Sequence, residues 1–317
     1  MDKLASQDSN ETLLISKVSM LLSAIFMGFV GIFVTYLSNY SIFTIVLLRG
    51  LFGSLFLTLL MIKTRSFTKK FLKESIRMHW KALIISGVIY PFLIYLYFFS
   101  ILLYGYAIAA FLLYTGGVFV LLFIVISGME KVSKVTIVSF ILAIIGVMII
   151  MELWNSQAFS LGLLFGLLSG FTLAIFIFYK KIIYIKRHNN LKNLKTKGDF
   201  DIFLAWWHTL FIIILFLPVG YKDLPKITLI ELIFAILLGL IPTAFAFYLH
   251  NVGVKNDKGG NIIIISFIEP VVATIITILF LKILSIYTII GGTLIILANI
   301  IVLRYSGRHS NSKRNNL

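Results

Sequence analysis

Apolar runs of about twenty residues recur along this chain at nearly regular intervals, and nothing else in the sequence limits its fold so severely. Hydrocarbon gives the backbone no hydrogen-bonding partner, so continuous runs of this length are read as membrane-spanning helices. Ten are placed near residues 18–37, 42–62, 82–102, 106–127, 134–152, 159–179, 202–220, 229–250, 261–281 and 286–304. Ser41, Pro218, Pro225 and Gly259-Gly260 are assigned to the breaks, where helix ends and turns tolerate them. Bulk composition agrees with this reading. With 60% hydrophobic and 13% charged residues and a mean hydropathy of +1.04, the chain lacks the polar surface of a soluble protein. The lack of cysteine excludes disulfides, thiolate metal sites and a cysteine nucleophile.

A formal net charge of +16 could signal nucleic acid, but its distribution argues for a bilayer instead. The basic residues sit in short segments between apolar runs, and those segments alternate. With the N-terminus inside, 24 of the 28 lysines and arginines fall on one side, including Lys63 to Lys81 after the second run and Lys180 to Lys197 after the sixth. The other side holds Lys222, Lys226 and Lys282, while Arg49 lies within the second run. The positive-inside rule then places both termini in the cytoplasm, and a prokaryotic inner membrane is expected. Acidic Asp2, Asp8 and Glu11 precede the first run and no small-residue cleavage pattern follows it, so it reads as an uncleaved helix. Residues 306–317 read as a disordered basic cytoplasmic tail.

The runs fall into two halves, 1–152 and 153–305, that echo each other. Gly116-Gly117-Val118 matches Glu269-Pro270-Val271, and Gly146 matches Asn299 at the same offset; Tyr97 with Tyr248 and Pro91 with Pro242 match at nearly that offset. Five spans is an odd number, so the halves enter the membrane from opposite sides, an inverted repeat of the kind that rocks about a midplane site in many transporters. Arg49-Gly50, the glycine- and aromatic-rich segments Gly87 to Ser100 and Gly239 to Asn251, Glu269-Pro270-Val271-Val272-Ala273 and Gly291-Gly292 carry a family resemblance. Together they resemble the EamA-type transporters of the drug/metabolite transporter superfamily. That resemblance implies an all-α membrane fold of two five-helix repeats that moves small metabolites. The chain departs from the family pattern at Gly117, where proline is usual, and at Lys282-Ile283, which stands opposite the acidic Glu130 of the first half.

Ionisable groups at depth cost at least ~2.5 kcal/mol each and need a partner or a cavity. Glu269 lies about eight residues into the ninth run, beside Pro270, which removes a backbone donor and frees carbonyls one turn earlier. A carboxylate there either takes up a proton, cation or amine, or packs two helices together. Arg49 could hold a carboxylate; snorkelling outward or pairing with a backbone carbonyl is the favoured reading. His250-Asn251 offer a proton relay, or a helix end whose polar tips reach water. Tyr90, Tyr97 and Tyr114 place phenols that want partners on the third and fourth runs, so a water-lined cavity suited to an amino acid or similar solute is expected. Pro91, Pro242 and Pro270 are expected to break helices near it. Trp206-Trp207-His208, Tyr104 and Tyr106 are assigned to interfacial belts, and Gly162, Gly166 and Gly170 to close helix packing.

The expected function is a secondary carrier of small organic metabolites, coupled to a proton, another ion or the solute gradient, with the bilayer as its other partner. No nucleotide-binding loop is present, so ATP does not drive it directly. An intramembrane enzyme is the alternative, but no metal-binding, serine-hydrolase or paired-aspartate motif occurs, and no cofactor or metal is expected. A channel or receptor is the other alternative, disfavoured because no filter-like segment stands out. Monomer and homodimer both remain open.

Overall fold

A computed structural model describes residues 2–119, 123, 134–150, 154, 160–190, 196, 198–255, 265, 266, 268–281 and 285–314. All regular structure among them is helical. In chain order the helices are α1 (Asp2–Met27), α2 (Val30–Tyr36), α3 (Ile42–Lys63), α4 (Lys69–Tyr104), α5 (Tyr106–Tyr114), α6 (Lys134–Ile150), α7 (Leu161–Asn189), α8 (Phe200–Gly220), α9 (Leu229–Gly239), α10 (Ala246–Lys255), α11 (Ile268–Ile276) and α12 (Ile286–Arg314). Short turns join some of them: a 3₁₀ turn at Tyr221–Lys226 and wider π turns at Leu240–Phe245 and Thr277–Leu281. Among the described residues, six stretches are long and apolar enough to cross a membrane, and four shorter apolar helices complete the ten expected runs in order. Glu130, Gly259-Gly260 and Lys282-Ile283 lie outside the described residues.

Local chemistry starts these helices where the sequence allows. Ser41 caps α3 and Thr68 caps α4 by accepting from backbone N–H groups one turn on. Thr228 and Glu231 form a reciprocal capping box at the start of α9. Because Thr68 caps so early, α4 begins well before its apolar run and buries Phe71, Ser75, His79 and Leu83 at fourfold spacing along one stripe. Pro218, expected at a break, lies inside α8 two residues before its end, where it leaves the Ile214 carbonyl without its usual N–H donor. α12 runs as helix from Ile286 to Arg314.

The packing pattern is that of two inverted repeats. The most extensive contacts pair α4 with α7, α6 with α12, α3 with α8, and α1 with α10, and α5 also meets α11. A two-fold rotation that exchanges the halves maps the first and eighth spans onto the sixth and third, and maps each of the other pairings onto itself. Each pairing therefore joins one half to the other.

At two crossings, glycine is what lets the helices approach. A Cβ on Gly146 would sit 2.6 Å from the Gly291 carbonyl oxygen, so α6 and α12 meet backbone to backbone. The stripe of Gly162, Gly166 and Gly170 faces α4 and α5 of the same chain, against Tyr104, Leu112 and Thr115. Gly291→Leu is therefore expected to cost roughly 1–3 kcal/mol by forcing that crossing apart. The measurement is the thermal midpoint of purified protein; an unchanged midpoint would remove the crossing as a structural constraint.

Candidate functional site

Where the halves meet, they enclose a cavity of about 90 Å³, lined equally from both. Its volume suits several ordered waters or one small solute group. Arg49 of α3, Tyr90 and Tyr97 of α4, Tyr114 of α5, His250 of α10 and Glu269 of α11 all line it. Asn251 does not: it is buried against α8, where its Nδ2 donates to the Asp201 carbonyl at 2.8 Å. One position along a helix turns a side chain by about 100°, which separates His250 from its neighbour.

Helix irregularities create the polar side of this cavity. Pro242 cannot donate to the Leu238 carbonyl, and the Thr243 hydroxyl supplies that hydrogen bond at 2.8 Å instead. The chain widens there into the π turn at Leu240–Phe245, and the Pro242 carbonyl accepts from Arg49 Nη2 at 3.4 Å. Arg49 is 3% exposed and lies over the Phe98 ring, so it does not snorkel, although the carbonyl partner is present. Pro91 was expected to break its helix, yet α4 runs on through it to Tyr104, held by packing along both flanks. Pro270 sits in the first turn of α11, where its missing N–H costs least.

Glu269, 3% exposed, accepts from the Tyr114 hydroxyl at 2.7 Å across the two halves. Arg49 is close enough to act on it electrostatically. The end of α5 exposes the Tyr114 carbonyl, and Asn299 of α12 donates to it at 3.1 Å. The hydroxyls of Tyr90 and Tyr97 make no well-formed hydrogen bond among the described residues. They leave donor and acceptor capacity facing the cavity.

The aromatic wall is more extensive than the tyrosines alone. Tyr90, Phe176, His208 and Phe247, from four different helices, form a cluster of mutually touching rings with centroid separations of 4.8 to 6.0 Å. His208 is fully buried behind it and meets the Ser86 hydroxyl at 3.0 Å. His208 is thus no interfacial anchor. Trp206 and Trp207 likewise tie α8 to its neighbours, donating to the Thr58 hydroxyl and the Leu83 carbonyl, each at 2.9 Å. Tyr106 is buried as well and donates to the Met27 carbonyl. Buried indole and phenol donors need such partners, and the bundle interior provides them.

Lys180 was assigned to a loop, and the structure places it elsewhere. It lies in α7, 1% exposed, in the cavity wall, with Nζ 2.8 Å from His250 Nδ1 and 4.9 Å from the Phe247 ring centroid. Its neighbour Lys181 is exposed. The signal was the helical face that Lys180 shares with Leu173, Phe176 and Ile177, all cavity residues.

Charged residues also organise the end of the bundle that carries most of the basic segments. Asp201, in the first turn of α8, accepts from the Tyr184 hydroxyl at 2.9 Å and from Lys255 at 3.3 Å, while its backbone carbonyl holds Asn251. It joins α7, α8 and α10. At the opposite end, Asp223 accepts from the Ser41 N–H and the Thr44 hydroxyl, and Tyr40 donates to Glu231.

A cavity shared by two inverted five-helix repeats, with broken helices and ionisable groups at its wall, defines the architecture of a membrane transporter. The profile of the EamA-like transporter family matches residues 14–152 and again residues 160–304. The chain belongs to that family. No curated protein matches it, while 23 solved chains do. One crystal structure superposes with a TM-score of 0.61 at 16% identity, covering 94% of this chain and 99% of the other. That likeness concerns the fold alone.

Proposed function

We propose that the chain is a secondary carrier of small organic metabolites, working by alternating access about the cavity between its halves. The observation that carries this reading is the pairing of Glu269 with Tyr114 across the repeat boundary, inside a cavity that also holds Arg49. A carboxylate in that position gains or loses a proton according to which side of the membrane the cavity faces, and so couples a gradient to the solute. The aromatic wall suits an amphipathic body such as that of an amino acid. No step of catalysis is assigned to these residues; the family is one of transporters. The membrane is the cytoplasmic membrane of a prokaryote, and the end rich in basic residues faces the cytoplasm, as the positive-inside rule requires.

Purified protein in liposomes tests the reading, with radiolabelled amino acids and other small metabolites offered with and without a proton gradient. Saturable uptake of one class, stimulated by the gradient, is expected. No uptake by protein shown to be folded counts against a carrier. Orientation is checked separately with single cysteines, which the cysteine-free chain makes simple. A cysteine at exposed Lys222 should react with an impermeant reagent from outside cells, and one at exposed Lys69 should not; the reverse pattern inverts the topology.

A further inference from the structure

Lys180 brings an ammonium group into the bundle interior without an acid to meet it. Among the described residues no carboxylate oxygen comes within 4.0 Å of its Nζ. Asp201 attracts it from farther off but is engaged by Tyr184 and Lys255. What surrounds the ammonium is an imidazole nitrogen and the faces of Phe176 and Phe247. A buried lysine without an ion pair either gives up its proton or waits for a counter-ion, and an apolar side chain would fill the same space with neither demand. The cavity as a whole shows the same imbalance. Arg49 and Lys180 are two basic groups on its wall and Glu269 is one acid, so the described lining holds more basic than acidic side chains.

We propose that Lys180 and His250 form an anion subsite that takes the carboxylate of a small solute, with the aromatic cluster holding its apolar body. The proposal rests on the carrier reading and adds the substrate class to it. A monocarboxylate brings a second acid to a wall with two basic groups. One ammonium and one imidazole offer too few donors for a phosphate dianion, which proteins usually meet with arginine forks or several backbone N–H groups. The rings of Phe176 and Phe247 lie beside the ammonium, and Tyr90 stacks on Phe247 to widen the apolar surface. Arg49 and Glu269 line the same cavity, held by the Pro242 carbonyl and the Tyr114 hydroxyl.

The test is ligand-induced thermal stabilisation of the whole protein in lipid nanodiscs, using phenylacetate and butyrate against phenylacetamide and butyramide, with inorganic phosphate as a further arm. Saturable stabilisation by the acids and none by the matching amides is expected. Lys180→Met should weaken phenylacetate binding about tenfold or more, the loss of one charge-assisted contact, while Lys180→Arg keeps the preference for acid over amide. Equal shifts by acid and amide, no shift by either acid, stronger stabilisation by phosphate, or unweakened binding by the methionine variant would each overturn the subsite. If the methionine variant does not fold, the comparison of acids and amides on the unaltered protein decides alone. Uptake of uncharged or cationic metabolites in the liposome assay would keep the carrier and remove this subsite, so the two readings fail separately.

Discussion

Glu269→Gln is expected to leave a folded protein in the membrane that transports at about one-tenth the normal rate or less. The amide keeps the shape of the acid, and its oxygen can still accept from the Tyr114 hydroxyl, so the contact between the halves persists. Two things are lost. The amide cannot take up a proton, and Arg49 and Lys180 are left in the cavity with no opposing charge among its described lining. A charge-assisted contact is worth roughly 1.5–3 kcal/mol, and that range corresponds to a fall of about tenfold to a hundredfold. Uptake into liposomes across a pH series checks it: the variant should be slow and should lose whatever pH dependence the unaltered protein shows. An unchanged rate with an unchanged pH profile would leave Glu269 as a packing residue.

The second large effect falls on stability. Asp201→Ala removes at once the acceptor for the Tyr184 hydroxyl and the partner of Lys255, at a position where α7, α8 and α10 converge. The Tyr184 hydroxyl then loses its best acceptor in a mostly buried site, at a cost of about 2 kcal/mol. Lys255→Ala serves as the comparison. That side chain is 56% exposed, so deleting it should cost only about 0.5 kcal/mol. Thermal midpoints in detergent are expected to fall in that order. A lysine variant as unstable as the aspartate variant would mean that the ion pair, and not the hydrogen-bonded junction, holds the helices together.

The architecture was legible because hydrocarbon imposes a length and a polarity that runs of sequence must obey, and the ten runs can be counted directly. The cavity was legible wherever a polar group interrupts such a run, as Glu269 and the tyrosines do. Lys180 was hidden by its company. It stands next to Lys181 and a few residues before Lys186 and Arg187, so it reads as loop until the helix is known to continue to Asn189. His208 was hidden in the same way by two tryptophans whose composition suggests an interface. In both cases the missing information was rotational: which side of a helix faces inward depends on neighbours that lie far away in sequence. Asp201 drew no attention for a third reason. An acid at the start of a span looks like an ordinary helix-start residue, and its partners come from α7 and α10, 17 to 54 positions away.

Because the principal pairings all join one half to the other, neither half has its main packing surfaces satisfied by itself. During synthesis each first-half helix must wait in the bilayer for its main partner, α4 for α7, α3 for α8, α1 for α10 and, last of all, α6 for α12. Assembly is therefore completed only at the end of translation. A fault in α12, such as a premature stop, would strand a nearly complete chain without the closing partner of its fifth span and mark it for membrane quality control.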